Sequence, residues 1–269
     1  MNKNKLKKLI KIIKNPSNIL DITVDKFGRN ISRHLKNKSF FLQGQMDINP
    51  LSIWYKSEFI NSTSGFFPKN NQEDRKIYDL EPWDNTRRDM IILLIRTIIE
   101  NKIEGAFAEL GVYKGYTAKL IHKYAPEKNL YLFDTFSGFN KRGTDIENQK
   151  TKDLIDYSQF SDTSLELVKK YIDPNENVYF FEGYFPDNLP EDFENMKFAF
   201  VHLDADLYGP TMSGLQTFYK KMSQGGIIII HDYNAWIGAR TAADEFFSNK
   251  IEKPIPMPDK SGSAVIIKQ

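Results

Sequence analysis

The chain has 269 residues, 41% of them hydrophobic and 27% charged, which suits a globular protein with one large domain and an extension, or two small domains. Cysteine is absent, which excludes a disulfide framework, a thiolate zinc site and a cysteine nucleophile. The net charge of +2 hides an asymmetry: residues 1–40 hold 11 Lys and Arg against Asp21 and Asp25, leaving −7 on the remainder, which is not a nucleic-acid-binding surface.

No apolar run approaches the roughly 18 residues that span a bilayer. Lys outnumbers Arg 29 to 8, a composition that points to an AT-rich bacterial genome. At the start, Leu6, Leu9, Ile10 and Ile13 share one helical face among lysines, and Pro16 ends the helix. Lys11 and Lys14 interrupt any signal-peptide core, so a cytoplasmic location is expected. Residues 3–14 are read first as a helix packed on the body or on a partner subunit in a homodimer. Contact with an anionic membrane surface is the secondary reading, because four apolar residues make a small footprint. Residues 15–85 are punctuated by Gly and Pro without long periodicity, and residues 1–85 are taken together as a mostly helical extension, a cover or a dimer contact.

A helix is expected over residues 86–100, where Met90, Ile91, Leu94, Ile95 and Ile98 form a stripe and Arg87, Arg88 and Asp89 lie mainly elsewhere. From residue 104 strands and helices alternate. Short strands are expected at 105–110, 130–134, 178–181, 198–203, 226–230 and 265–267. Helices are expected at 116–124, 164–171, 211–222 and 239–247, and the last strand is a candidate partner for residues near 253–257. Uniformly apolar strands joined by helices mean a parallel sheet covered on both faces. The expected fold is therefore a doubly wound α/β domain over residues 86–269. Ligands in such sheets bind beyond the carboxyl ends of the strands, so chemistry is sought there.

After the first strand comes Glu109-Leu110-Gly111-Val112-Tyr113-Lys114-Gly115. This acid-x-G-x-x-x-G pattern is not the G-x-G-x-x-G of a dinucleotide site. Glu109 would repel a diphosphate, but it suits a ligand with a cationic centre and an amino group, such as S-adenosylmethionine. A plain glycine turn is the alternative. Asp134 follows the second strand, 19 positions beyond Gly115, a spacing that suits ribose hydroxyls; a turn cap is its alternative. Glu182-Gly183-Tyr184-Phe185 follows the third strand, where an adenine would lie. Asp204-Ala205-Asp206 follows the fourth and His231-Asp232-Tyr233-Asn234 the fifth. Acids gathered in one crevice repel unless something positive joins them, and hard oxygen ligands suit Mg²⁺ or Mn²⁺. Separately capped acids are the alternative.

The stretches 105–117 (GAFAELGVYKGYT), 130–139 (LYLFDTFSGF), 160–168 (FSDTSLELV), 201–210 (VHLDADLYGP) and 225–233 (GGIIIIHDY) resemble the macrocin O-methyltransferase family, S-adenosylmethionine- and metal-dependent sugar O-methyltransferases. The resemblance implies a Rossmann-like class I methyltransferase sheet of seven strands, the last antiparallel. It implies Glu109 and Gly111 at the methionine end of the cofactor and Asp134 on the ribose. The cofactor set is completed by Tyr113, Gly115, Thr117, Ser137, Glu182, Gly183 and Asp204. It implies Asp204 and Asp232 as metal ligands, with Asp206 as ligand or base. Family members often carry Asp-Asp-Tyr where this chain has His231-Asp232-Tyr233. His231 is therefore read as a third metal ligand or as a base, leaving the metal's identity open.

The expected chemistry is deprotonation of a sugar or glycoside hydroxyl by Asp206 or His231, aided by the metal, and in-line attack on the sulfonium methyl. His202 is read as a satisfied core histidine. Residues 137–162 are read as a lid, and Phe66, Phe67, Tyr157 and Phe160 as an apolar wall for the acceptor. A catechol-like acceptor, a non-catalytic scaffold and, less favoured, an NAD(P) oxidoreductase are the competing readings.

Overall fold

The computed structural model describes residues 84–151, 155–156 and 158–269. The expectations for residues 3–14 and 1–83, and for Phe66, Phe67 and Tyr157, lie outside the described residues.

Helix α1 spans Asn85–Glu100. Asp84 caps it, accepting the Arg87 amide at 3.0 Å. The other oxygen of Asp84 accepts the Lys260 amide at 2.7 Å, which ties the start of this helix to the C-terminal part of the chain. Ile91, Ile92, Ile95 and Ile98 are fully buried, and Arg88 and Asp89 are buried with them. That revises the expected face: Arg88 Nη2 pairs with Asp89 Oδ1 at 2.7 Å, so the two charges enter the interior as a pair.

The sheet contains β1 (Ala106–Leu110), β2 (Leu130–Asp134), β3 (Val178–Glu182), β4 (Phe198–Leu203), β5 (Met222–Ile230), β6 (Ile255–Pro256) and β7 (Ala264–Ile267). Their order is β3-β2-β1-β4-β5-β7-β6. The first five are parallel, and β7 runs antiparallel to β5 and to β6. The helices that follow α1 are α2 (Tyr116–Tyr124), α3 (Lys141–Thr151), α4 (Leu165–Ile172), α5 (Tyr208–Phe218) and α6 (Ile237–Phe247). β4 is buried at every position, as a central parallel strand covered on both faces must be. Phe133, Phe198 and Phe218 interlock at its side, with Phe198 and Phe218 edge to face at 5.1 Å.

Register decides what meets at the strand ends. Glu109 pairs with His202 and Leu110 with Leu203 across β1 and β4, while Leu203 pairs with Ile230 across β4 and β5. The Asp204 amide donates to Leu110 O and the His231 amide to Leu203 O, both at 2.8 Å. Gly111, Asp204 and His231 therefore leave the sheet side by side. Gly111 has φ of 88°, and a Cβ placed there would sit 1.9 Å from the carbonyl oxygen of Asp204. Only glycine lets these two strand ends approach so closely.

Residues 137–162, read as a lid, contain α3, and that helix is anchored. Glu147 is 1% exposed and accepts the Tyr208 amide at the start of α5 at 2.6 Å, a favourable site for a carboxylate. A Cβ on Gly238, at the start of α6, would meet the same carboxylate at 2.2 Å.

The chain's end is fastened similarly. Glu252 Oε1 accepts Lys268 Nζ at 2.8 Å, and Oε2 accepts the Tyr219 hydroxyl at 2.8 Å. Burial opposes the charge on Glu252, but these partners hold its pKa at about 2, against an ordinary 4.5. The folded-state value lies below the unfolded one, so the stabilisation is present at neutral pH and is lost as pH falls from about 4.5 towards 2. Glu252→Gln is expected to destabilise the fold by about 1 kcal/mol at pH 7, with the difference closing in acid; equal urea midpoints at pH 7 would contradict the clamp. Gly111→Ala is expected to cost on the order of 3 kcal/mol, lowering the melting temperature by roughly 6–12 °C. An unchanged melting temperature would show that the β1–β4 seam can spread.

Candidate active site

A cleft of about 270 Å³ opens at the carboxyl ends of β1, β2, β4 and β5. Of the residues expected at a site, Glu109, Gly111, Tyr113, Thr117, Asp134, Gly183, Asp204, Asp206, His231 and Asp232 line it, and so does Arg87. Gly115, Ser137 and Glu182 are not among its lining residues, although Gly138 and Tyr184 are. Gly115 acts by its backbone instead, turning the chain into α2 with φ of 81°.

Glu109 is 1% exposed at the floor of the cleft. Its Oε1 lies 2.8 Å from His202 Nδ1, while Oε2 and His202 Nε2 have no hydrogen-bond partner. His202 is thus half satisfied, not the fully satisfied core histidine expected, and it fixes the Glu109 carboxyl group. Burial and the Asp204 charge push the Glu109 pKa well above its usual value. Burial holds the His202 pKa down at about 3, so the ring is neutral. A buried acceptor with nothing to accept is costly in a native fold. Glu109 Oε2 is open to a donor, and a positively charged one such as an ammonium group would offset the burial that raises the Glu109 pKa.

The carboxylate of Asp134 is committed. Its Oδ2 accepts the amides of Val112 at 2.6 Å and Tyr113 at 2.9 Å, and its Oδ1 accepts the Phe136 amide at 2.6 Å. Asp134 therefore holds the glycine loop in shape, which is the turn-capping alternative, while still bordering the cleft. Tyr113, Phe160, Asp206 and Asp232 adopt φ of 49°, 60°, 56° and 56°. Four non-glycine residues in the left-handed region around one cleft mark a strained site, at about 1–3 kcal/mol each.

The acids converge as expected. Burial and a hydrogen bond to Asp232 raise the Asp206 pKa well above the ordinary range, the direction expected where two carboxyls face each other. His231 Nδ1 lies 2.5 Å from Asp204 Oδ1 and 3.0 Å from Asp232 Oδ2. The sequence reading placed a metal ion here and no cationic side chain, but Arg87 Nη1 lies 2.5 Å from His231 Nε2 and 3.9 Å from Asp204 Oδ2. Burial disfavours charge on His231, yet Asp204 and Asp232 draw its pKa up to about 10. Arginine can only donate, and two facing N–H donors at that distance would repel. Against that pull stands the contact with Arg87: for the guanidinium to donate to Nε2 the ring must be neutral, with its hydrogen on Nδ1 where Asp204 accepts it.

Ligand atoms of Asp204, His231 and Asp232 lie within 4.8 Å of one another, a spacing that a divalent ion can bridge. The donor chemistry does not follow the spacing. A metal-bound histidine gives its lone pair to the ion and donates its other N–H to an acceptor. Here Nε2 faces a guanidinium, and in the tautomer that this contact requires Nδ1 carries its hydrogen towards the acids. Bound in this arrangement, His231 does not fit a metal, and no catalytic step is assigned to one.

The rim is aromatic. Phe160 packs edge-on against Tyr113 at 5.1 Å and against Phe139 at 5.0 Å, and all three line the cleft. Trp236 continues the row against Phe139 at 6.1 Å. Among the described residues, no helix is long and apolar enough to cross a membrane.

The chain is 28% identical over 152 residues to mycinamicin III 3''-O-methyltransferase of Micromonospora griseorubida, covering 52% of this chain and 59% of that protein. It is 27% identical over 171 residues to demethyldecarbamoylnovobiocin O-methyltransferase of Streptomyces niveus, covering 60% and 64%. It thus spans about three-fifths of the curated relatives it matches. Among solved structures, the O-methyltransferase NovP superposes with a TM-score of 0.61 at 24% identity, over 69% of this chain and 80% of NovP. The calicheamicin methyltransferase CalS11 superposes with a TM-score of 0.55 at 14% identity, over 91% and 94%. Both likenesses are of fold. The family described as macrocin-O-methyltransferase (TylF) matches residues 83–266, and the chain belongs to that family.

Proposed function

We propose that the chain is an S-adenosylmethionine-dependent O-methyltransferase acting on a hydroxyl of a sugar, free or carried on a natural product. The observation that carries this reading is one cleft holding both an orphaned buried acceptor, Glu109 Oε2, and the acid cluster of Asp204, Asp206 and Asp232. Relatives named for methylating mycinamicin and a rhamnosyl tetracenomycin support the sugar.

S-adenosylmethionine supplies an electrophilic methyl group on its sulfonium. Glu109 takes its ammonium group, with His202 fixing the carboxyl from below. Gly111 allows the backbone to approach closely, and Asp134 keeps the loop amides in place. Thr117 and Asp204 border the same end, and Gly183, Tyr184 and Phe185 offer a flat pocket for the base at the other. Ribose contacts fall to Asp134's remaining acceptor capacity and to the neighbouring loop. The Asp206 pKa is raised and the Asp232 pKa lowered, opposite shifts that suit a pair in which one carboxyl stays ionised as the base for the acceptor's hydroxyl proton. Tyr113, Phe139 and Phe160 give the acceptor an apolar wall. The finer expectation of Mg²⁺ or Mn²⁺ rests on the 4.8 Å spacing alone.

Calorimetry should find micromolar binding of S-adenosylmethionine and S-adenosylhomocysteine, weakened about 100-fold in Glu109→Ala by loss of a charge-assisted hydrogen bond. No binding to either ligand would remove the methyltransferase reading. With a panel of rhamnosides and nucleotide-linked deoxysugars, methyl transfer should be detected by mass spectrometry. Asp206→Asn should lower kcat by about 10²–10⁴-fold with cofactor affinity unchanged; undiminished turnover would exclude Asp206 from the proton transfer.

A further inference from the structure

Three acids in one crevice need a compensating positive charge. Among the described residues, a cation that meets them is a side chain, Arg87. Arg87 comes from the first turn of α1, where Asp84 fixes both the turn and its attachment to Lys260. The guanidinium borders the cleft, 2.5 Å from His231 Nε2 and 3.9 Å from Asp204 Oδ2, with its side chain only 15% exposed. It thereby holds His231 with Nδ1–H pointing to Asp204. Arg87 and His231 together satisfy the acids that a divalent ion would otherwise join.

We propose that Arg87, seated on His231, replaces the divalent cation in this chain, so that methyl transfer proceeds without metal. The inference rests on the methyltransferase reading above and deepens it. The two residues have divided the ion's work. Arg87 supplies fixed positive charge beside the reacting oxygen, stabilising the alkoxide as it develops. His231 transmits that anchorage to Asp204 as a positioning residue. The hydroxyl proton passes to the Asp206–Asp232 pair as the oxygen–methyl bond forms. The sulfur–methyl bond breaks in the same step, its electron pair stays on sulfur, and S-adenosylhomocysteine leaves neutral. No redox partner is required.

The replacement explains why histidine stands at 231. An aspartate there would add a fourth carboxylate and could give Arg87 a salt bridge, but it could not donate to Asp204 when ionised. Histidine accepts from the arginine on one nitrogen and donates to the acid on the other. It is the side chain that relays between a donor and an acceptor.

The test is Mn²⁺ binding to the full chain, followed by electron paramagnetic resonance after chelator treatment, with S-adenosylhomocysteine binding measured on the same samples. Wild type should bind no Mn²⁺ at concentrations up to about 1 mM. Arg87→Met, which frees Nε2, and the Arg87→Ala/His231→Asp double variant should each bind Mn²⁺ at least ~10-fold more tightly. Retained S-adenosylhomocysteine binding reports that the variants are folded. Wild-type binding of Mn²⁺ at about 10 μM or tighter would overturn the inference while leaving the methyltransferase reading intact. So would variants that bind S-adenosylhomocysteine but gain no Mn²⁺. Wild type that binds no S-adenosylhomocysteine would instead sink the underlying reading. Once an acceptor is in hand, turnover should be unchanged by chelator, and Arg87→Lys should retain more of it than Arg87→Met.

Discussion

The seam between β1 and β4 governs the site. Gly111 leaves β1 so close to Asp204 that a single methyl group would collide with its carbonyl. That approach puts Glu109 opposite His202, and Asp204 beside His231. One contact without side chain therefore sets two pairs of titratable groups. The first presents a buried carboxyl with a vacant acceptor atom. The second opens an acid cluster in the same cleft. Neither pair would keep its spacing if the strand ends parted.

The second governing constraint is charge. Asp204, Asp206 and Asp232 cannot all ionise side by side without compensation. Two responses follow. Burial and Asp232 raise the Asp206 pKa, favouring its neutral form, and Asp204 is met by His231, with Arg87 behind it. Asp206 and Asp232, both with φ of 56°, are held in these orientations by the surrounding structure at a cost in backbone strain. Anchorage outside the cleft supports them. Glu147 pins α3 to α5, and Asp84 pins α1 to the segment before β7, so the walls of the cleft are fastened to the sheet that forms its floor.

Much of this was legible in the sequence. Parallel strands buried on both faces leave short apolar runs, and such runs marked β1, β2, β4 and β5 because tertiary burial and local pattern agree there. The strand-end rule then pointed to Glu109, Asp134, Asp204, Asp206, His231 and Asp232, all of which border the cleft. What was not legible depends on distance along the chain. Arg87 and His231 are 144 residues apart, and the arginine's position opposite an apolar stripe gave no sign of a partner. Arg88 and Asp89 looked like surface charge because neutralisation by a neighbour is invisible to hydropathy. The role of Asp134 needed the loop amides in view. Residues 141–151 lack an apolar stripe, so α3, held by a buried glutamate, went unmarked within the stretch read as a lid.

The central claim is that one cleft positions a cationic methyl donor between Glu109 and an acid cluster partly compensated by Arg87. A crystal structure of the full chain with S-adenosylhomocysteine, grown in the presence of Mn²⁺ and measured at the manganese edge, tests it most directly. The ligand's amino group should lie within hydrogen-bond distance of Glu109 Oε2, Arg87 should remain on His231 Nε2, and no anomalous peak should lie between Asp204 and Asp232. A manganese peak coordinated by His231, with Arg87 displaced, would contradict the account of charge. A ligand seated away from Glu109 would contradict the account of the cleft.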